Sequence, residues 1–218
     1  MSMDHQRVPV KTRRRYTSSR RDEQARQTRA AIVDAAQLLL LRDGFAVTTV
    51  AAIAAAAEVS VETIYKTFGG KPGMVRAICE RGLAGEGPIP AETRSDELQS
   101  REIDPRVIIR GWGTLATEVS PLVAPILLLL RAAAATDPDM RRLQSELDDR
   151  RLTRMRSNAG ALAAAGHLRD GVDVDHAAEV MWTFSSAELY ELLVLKRGWP
   201  IERYGAFLAD AMISALLA

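Results

Sequence analysis

Apolar residues recur along most of the chain at the three- and four-residue spacing of amphipathic α-helices. The first such stripe, after a polar N-terminal stretch, consists of Ile32, Ala35, Ala36 and Leu39. Gly44 follows it, where a helix C-cap is expected. No stretch alternates with the period of two that a half-buried β-strand requires for more than a few residues. The pattern therefore predicts an all-α fold.

Two short helices joined by a tight turn are predicted next. The first contains Ile53 at helical spacing from its apolar neighbours, and the second opens with Ser60, a favourable N-cap. Ile64 and Phe68 share one face of the second helix. Only residues 57–59 lie between the two helices, and so short a connection predicts a helix-turn-helix.

The rest of the chain is also predicted to be mainly helical. Residues 85–103, which contain glycine, proline and many charges, predict a connector. Beyond it, an N-cap residue followed by proline predicts three helix starts, at Asp104-Pro105, Ser120-Pro121 and Asp137-Pro138. The third opens a long helix over residues 138–165.

The last two predicted helices span residues 174–197 and 200–217. The first of them is apolar nearly all round, and such a helix must be buried on more than one side. One side can pack against its own domain, so the other side needs a partner. The pattern predicts a homodimer formed through these two helices.

The net charge of +1 hides an uneven distribution along the chain. Residues 1–30 carry +6, residues 31–90 carry −1 and residues 91–218 carry −4. A basic arm ahead of an acidic body favours contact with a polyanion, nucleic acid above all. The alternative is a solvated, disordered tail that only aids solubility.

The composition excludes several other classes of protein. Cys79 is the single cysteine and the three histidines lie far apart, so neither a disulfide nor a metal site is expected. Gly-rich phosphate loops and nucleophile elbows are missing, so we expect no catalysis and no cofactor. The longest apolar run, 122–135, is interrupted by Pro125 and Arg131 and is too short to span a bilayer. We therefore expect a cytoplasmic protein without a membrane partner.

The stretch over residues 26–81 resembles the TetR/AcrR family of transcriptional regulators. The resemblance centres on TTVAAIAAAAEVSVETIYKTFGGK at residues 48–71. The family pattern is matched at Thr48, Thr49, Ile53, Ala54, Ala57, Val59, Ser60, Tyr65, Phe68 and Lys71. Two positions depart from it: Glu58 replaces a glycine in a left-handed turn, and Lys66 replaces an aromatic residue or histidine.

The resemblance implies an N-terminal helix-turn-helix three-helix head and a larger helical ligand-binding and dimerisation domain. We predict a disordered basic arm (1–25), a DNA-binding head (26–85, motif 49–68) and an effector-binding and dimerisation body (86–218). The implied function is that of a ligand-responsive repressor, which binds a pseudo-palindromic double-stranded DNA operator as a homodimer. The alternative is an effector-free DNA-binding protein whose body only dimerises.

The predicted DNA contacts lie in and around the second helix of the motif. Short polar and apolar side chains near its N-terminal half suit base edges, and lysines and tyrosine suit phosphates. The predicted contact residues are Thr48, Thr49, Ser60, Val61, Glu62, Thr63, Tyr65, Lys66 and Lys71. The alternatives are helix capping for the threonines and a plain solvated face for the others.

A small, largely apolar effector is predicted to bind in the body. Its candidate contacts are methionine and aromatic side chains, namely Trp112, Met140, Met155, Trp182 and Phe184. At helical spacing such residues also form ordinary core. Glu118, Glu188 and Glu191 are candidate polar anchors, or else members of rim salt bridges.

Overall fold

The computed structural model describes residues 12–218, with side chains described from residue 20 on. Over this range the chain is helical, with no strand and one isolated bridge between Leu168 and Leu217. The all-α prediction is confirmed. The elements are α1 (Thr12–Asp43), α2 (Val50–Ala56), α3 (Val61–Phe68), α4 (Lys71–Ala84), α5 (Ala91–Arg101), α6 (Pro105–Ala134), α7 (Pro138–Ala164), α8 (Val174–Phe184), α9 (Ala187–Tyr190), a π-helical turn (Glu191–Lys196) and α10 (Ile201–Leu216).

Aspartate caps explain where the long helices of the body begin. An Asp104 carboxylate oxygen accepts a hydrogen bond from the backbone N–H of Arg106 at 2.8 Å, and α6 starts at the proline between them. Asp137 accepts in the same way from Met140 at 3.1 Å at the start of α7. Each cap satisfies a backbone donor that the first helical turn leaves unpaired. The helix starts predicted at these two Asp-Pro pairs are confirmed.

The apolar faces of α1 to α4 meet in one core. The stripe predicted on α1 is buried, and it packs against Ile53 of α2 and Ile64 of α3. The same buried cluster continues into the body through residues of α6 and α7, namely Val123, Ile126, Leu130, Met140, Leu143 and Leu147. Head and body therefore share one hydrophobic core, and the boundary near residue 85 stays a prediction.

Helix α6 lies at the centre of the body. By length and composition it could cross a membrane; in the structure it packs against α4, α7 and α10. Its crossing with α10 is very close, because two glycines face each other there. A Cβ atom added at Gly205 would lie 2.6 Å from the Gly113 carbonyl oxygen and 2.4 Å from Thr117 Cγ2. The two backbones can approach this closely only without side chains.

The predicted disordered arm is partly wrong. Residues 12–25 belong to α1, while residues 1–11 lie outside the described residues. Arginine, glutamate, glutamine and alanine, all good helix formers, make up eight of these 14 residues. Glu23 pairs with Arg26 and Gln27 at the spacing that stabilises a helix surface. A charged stretch without an apolar face is typical of disorder, which is why the sequence alone does not reveal this part of α1.

The predicted connector and one helix start are also wrong. Residues 91–101 form α5, whose buried Ala91 and Ser95 pack against the other helices. The Ser120-Pro121 pair opens no helix, since α6 runs through both Pro121 and Pro125. Buried side chains around the prolines hold the helix together, so tertiary packing outweighs the local break.

The single helix predicted over residues 174–197 is divided. α8 ends at Phe184, and after two serines the chain re-enters a helix as α9 and the π-helical turn. Ser185 donates its hydroxyl proton to the Trp182 carbonyl oxygen at 3.1 Å. Serine side chains that bond locally to the backbone compete with helical hydrogen bonds, which explains the break.

Candidate functional site

The turn between α2 and α3 has the geometry that the sequence predicts. The Val59 N–H donates to the Ala54 carbonyl oxygen at 3.0 Å, and the Ser60 hydroxyl oxygen accepts from the Thr63 N–H at 3.1 Å. Glu58 has φ +54°, so position 58 is left-handed as the resemblance implies. These contacts fix the angle between α2 and α3.

Glu58→Gly is expected to stabilise the protein by about 0.5 kcal/mol, because glycine adopts a left-handed backbone without a Cβ penalty. The free energy of unfolding from urea titrations measures the effect. Glu97→Gly is the matched control: this exposed glutamate lies inside α5, where glycine should cost about 1 kcal/mol. Destabilisation by both substitutions would contradict the expected release of strain at position 58.

The two threonines before α2 have different roles. The Thr49 hydroxyl oxygen caps α2 by accepting from the Ala52 N–H at 3.0 Å. Thr48 is only 3% exposed, and its hydroxyl donates to the Gly44 carbonyl oxygen at 2.8 Å. The predicted DNA contact at Thr48 is therefore corrected: the side chain joins the end of α1 to the start of α2 and does not reach the surface.

Helix α3 presents most of the predicted contact residues on one exposed side. Ile64 is fully buried against the head, whereas the opposite side carries Val61, Glu62, Tyr65 and Lys66. Ser60 is also exposed, and the half-buried Thr63 hydroxyl lies 2.9 Å from the Ser60 hydroxyl. The first two turns of α3 thus offer both apolar and polar side chains to a partner.

Tyr65 lies at the surface, whereas Lys71 is bonded to another part of the head. Tyr65 is exposed, and its ring lies beside Gly70. The Lys71 ammonium donates to the Phe45 carbonyl oxygen at 2.7 Å and lies 4.0 Å from the centre of the Phe45 ring. Lys71 therefore links the start of α4 to the loop after α1, which uses one of its three N–H donors.

Arg29 adds a positive charge to this surface that the sequence analysis did not single out. Its guanidinium carbon lies 4.5 Å from the centre of the Phe68 ring, at the C-terminal end of α3. Arginine stacked on an aromatic face keeps its N–H donors free for anions. The basic N-terminal stretch was recognised, but only the fold brings this member of it next to α3.

A cavity of about 340 Å³ lies in the body, bounded by residues of α4 to α8 and α10. Its wall is mostly apolar, and Leu83 from the end of α4 and Leu115 of α6 contribute to it. This volume falls within the range of about 300–1,000 Å³ typical of small-molecule sites. Since α4 begins in the head, the cavity wall and the head share one helix.

Three of the five predicted effector contacts line this cavity: Trp112, Met155 and Phe184. Met140 does not, because it is fully buried in the core shared by head and body. Trp182 is not part of the wall either; its ring packs under the Arg151 guanidinium, 4.5 Å from the ring centre. Helical spacing alone does not distinguish the cavity from the core.

Glu118 forms the rim salt bridge that was one of its two predicted roles. It is bound by the Arg94 guanidinium at 2.8 Å and by the backbone N–H of Glu86. The hydrogen bonds from Arg94 lower the pKa of the Glu118 carboxyl below its usual range. Glu188 is likewise paired, with Arg131 at 2.7 Å, and Glu191 with Lys196 at 2.9 Å.

The Glu118 pair predicts a pH dependence of stability. A carboxyl whose pKa is lowered by folding stabilises the protein above its unfolded pKa of about 4.3, and this contribution is lost as the pH falls through the folded value. Glu118→Gln should therefore cost stability at pH near 6 and much less at pH near 3, as measured by urea unfolding. Arg94→Gln, which removes the donor, should show the same trend, and a pH-independent cost would contradict it.

Comparisons with known proteins agree with this arrangement. Residues 32–78 match the family model of bacterial regulatory proteins, tetR family. The HTH-type transcriptional regulator YvkB of Bacillus subtilis, described as uncharacterized, is 38% identical over 71 residues, which is 33% of this chain and 38% of that protein. The chain thus matches well under half the length of this relative.

Solved structures extend the likeness to the body. NalD of Pseudomonas aeruginosa, the secondary repressor of the MexAB-OprM multidrug efflux pump, superposes with a TM-score of 0.69 at 19% identity, over 89% of this chain and 98% of that chain. A SmeT–triclosan complex gives a TM-score of 0.68 at 22% identity, over 88% and 92%.

The matched motif is that of a helix-turn-helix regulator. Residues 32–78 belong to the TetR family of bacterial regulatory proteins, and the rest of the chain shares the fold of the superposed structures.

Proposed function

We propose that the protein is a ligand-responsive repressor that binds a pseudo-palindromic DNA operator as a homodimer. The observation that carries the DNA-binding part is the exposed side of α3, held by the caps at Thr49 and Ser60. Its N-terminal half enters the major groove, where Val61 contacts a thymine methyl group and Glu62 accepts from a cytosine amine. Lys66 and Tyr65 contact phosphates.

The dimer in this proposal forms through the end of the body. Leu192 and Leu195 of the π-helical turn are 50% and 54% exposed, and Phe207 of α10 is 36% exposed. The π-helical turn and α10 are in contact, and exposed apolar side chains on neighbouring elements favour a protein partner. Two heads engage one operator only when they are about 34–36 Å apart, one DNA helical repeat.

The cavity supplies the response to a ligand. Gly82 near the end of α4 packs so closely on α6 that an added Cβ would lie 3.1 Å from the Leu122 carbonyl oxygen. A ligand that separates α6 from α4 tilts the head and changes the spacing of the two heads. By reciprocity, operator DNA weakens ligand binding by the same factor as the ligand weakens DNA binding.

The alternative is an effector-free DNA-binding protein whose body only dimerises. The cavity of about 340 Å³ favours the ligand-responsive form, because a body that only dimerises needs no such space. The solved SmeT structure contains triclosan, a small and largely apolar molecule. We propose a cytoplasmic location, consistent with a DNA partner.

Sequencing the genomic DNA fragments that the purified protein retains tests this proposal. The expected result is a small set of fragments that share an inverted repeat. Lys66→Ala should weaken binding to such a fragment and to its base-substituted variants by the same factor. Val61→Ala should change which bases are preferred. Arg101→Ala, at an exposed position of α5 in the body, is the matched control and should do neither. Retention without any shared sequence would contradict the proposal, as would a monomer in light scattering.

The basic N-terminal stretch is expected to supply affinity that does not depend on DNA sequence. Deleting residues 1–20 removes six basic side chains and one acidic one. Binding should weaken, and the slope of log K against log salt should become shallower by about 0.9 per lost phosphate contact. Fluorescence anisotropy at several salt concentrations measures both effects. An unchanged slope would assign the stretch to solubility alone.

A further inference from the structure

The apolar cavity contains a cation that is largely withdrawn from water. Arg151 of α7 lines the cavity, and its side chain is only 20% exposed. One guanidinium nitrogen donates to the Trp182 carbonyl oxygen at 2.9 Å, and another contacts Asp148 at 3.2 Å. Burial lowers the pKa of Arg151, and it does so more strongly than Asp148 and the more distant Glu188 raise it. Arg151 is therefore a buried cation with one carboxylate, Asp148, as its ion-pair partner.

The other two arginines at the cavity differ from Arg151. Arg154 is held by two carboxylates, Asp96 at 2.6 Å and Glu92 at 3.4 Å. Arg150 is 61% exposed and faces Glu80 at 3.7 Å. Neither therefore combines burial with a single carboxylate partner.

Two buried indole N–H groups, one in the cavity wall and one next to Arg151, lack an acceptor among the described residues. The indole N–H of Trp112, a cavity residue, is buried and finds no acceptor among the described residues. The buried indole N–H of Trp182, whose ring stacks under Arg151, is likewise without an acceptor in the described part of the chain. A buried donor without a partner costs free energy that a bound acceptor restores. The Trp112 indole N–H in the cavity wall is thus a buried donor that a bound acceptor can satisfy.

We propose that the cavity binds an amphipathic organic monoanion, with its acidic head group at Arg151 and its apolar body along Leu115, Met155 and Phe184. A carboxylate suits the planar guanidinium and replaces Asp148, whose side chain is 43% exposed and can turn to solvent. This inference rests on the proposed ligand-responsive function and specifies the chemical class of its effector.

Three probes with one carbon skeleton test this proposal: decanoate, decanol and decylamine. Each is titrated into the full-length protein by calorimetry near neutral pH, where the first is an anion and the last a cation. Decanoate is expected to bind at least about tenfold more tightly than decanol, and decylamine more weakly than both. Equal binding of decanoate and decanol, preferential binding of decylamine, or no binding of decanoate overturns the proposal.

Variants locate the head group. Arg151→Gln should reduce decanoate affinity by about tenfold and leave decanol within about threefold. Asp148→Asn, which removes the competing carboxylate and keeps Arg151, should increase decanoate affinity. Arg154→Gln is the matched control, one turn along the same helix and at the same cavity, and should leave the preference for decanoate unchanged. Equal effects at positions 151 and 154 overturn the placement of the head group.

The DNA measurements distinguish this inference from the proposed function. Specific retention of DNA together with failure of decanoate to bind overturns the anion site and leaves the regulator intact. Tight decanoate binding by a protein that retains no specific DNA overturns the regulator and leaves the anion site.

Discussion

Gly205→Val is expected to be among the most destabilising single changes in the body. The new Cβ would lie 2.4 Å from Thr117 Cγ2 and 2.6 Å from the Gly113 carbonyl oxygen, and the second of these atoms belongs to backbone that cannot rotate away. Separating α6 from α10 is the only relief, and it opens the most extensive helix contact of the body. Overpacking of this kind costs about 1–3 kcal/mol or more.

Thermal and urea unfolding measure this cost. Gly160→Ala is the matched control, since this glycine lies inside α7 and an added Cβ would meet nothing within 4 Å. Alanine there should stabilise the helix by about 0.5–1 kcal/mol. A Gly205→Val protein as stable as the native one would show that α6 and α10 do not cross as described.

Ile64→Ala is expected to abolish specific DNA binding by loosening α3. Ile64 is fully buried and is the one α3 residue with that status, so its truncation leaves a cavity under the helix and costs about 2–5 kcal/mol. An α3 that no longer packs on α2 and α4 cannot hold its exposed side in one orientation.

Val61→Ala is the matched control on the same helix. Val61 is 40% exposed, so its truncation should change stability by less than about 0.5 kcal/mol while altering base preference. Unfolding curves and binding to the retained fragment separate the two effects. Comparable losses of stability in both variants would contradict the placement of Ile64 and Val61 on opposite sides of α3.

Local patterns predicted the head well because its chemistry is local. The caps at Thr49 and Ser60, the left-handed turn at Glu58 and the buried stripe of α1 each depend on residues within a few positions. Such short-range rules act before any tertiary contact forms, so the sequence alone reveals them.

The body was harder to predict because packing decides its details. Pro125 continues a helix that local rules would interrupt, and Met140 and Met155 look alike in sequence but occupy a core and a cavity wall. Thr48 is a polar residue that the fold buries by satisfying its hydroxyl. Arg151 was not singled out, since only the fold removes its side chain from water while leaving it one carboxylate partner.

The shared core of head and body limits how this protein can be re-engineered. Val75, Ile78 and Cys79 of α4 pack in the same buried cluster as Ile126 and Leu130 of α6. A chimera that takes its head from another regulator would place foreign side chains against this α6 surface, creating voids or clashes at the junction. A graft that exchanges only the exposed residues of α3 leaves the junction intact. DNA specificity can thus be transferred by exchanging one face of α3. Exchange of the whole head requires redesign of α6 as well.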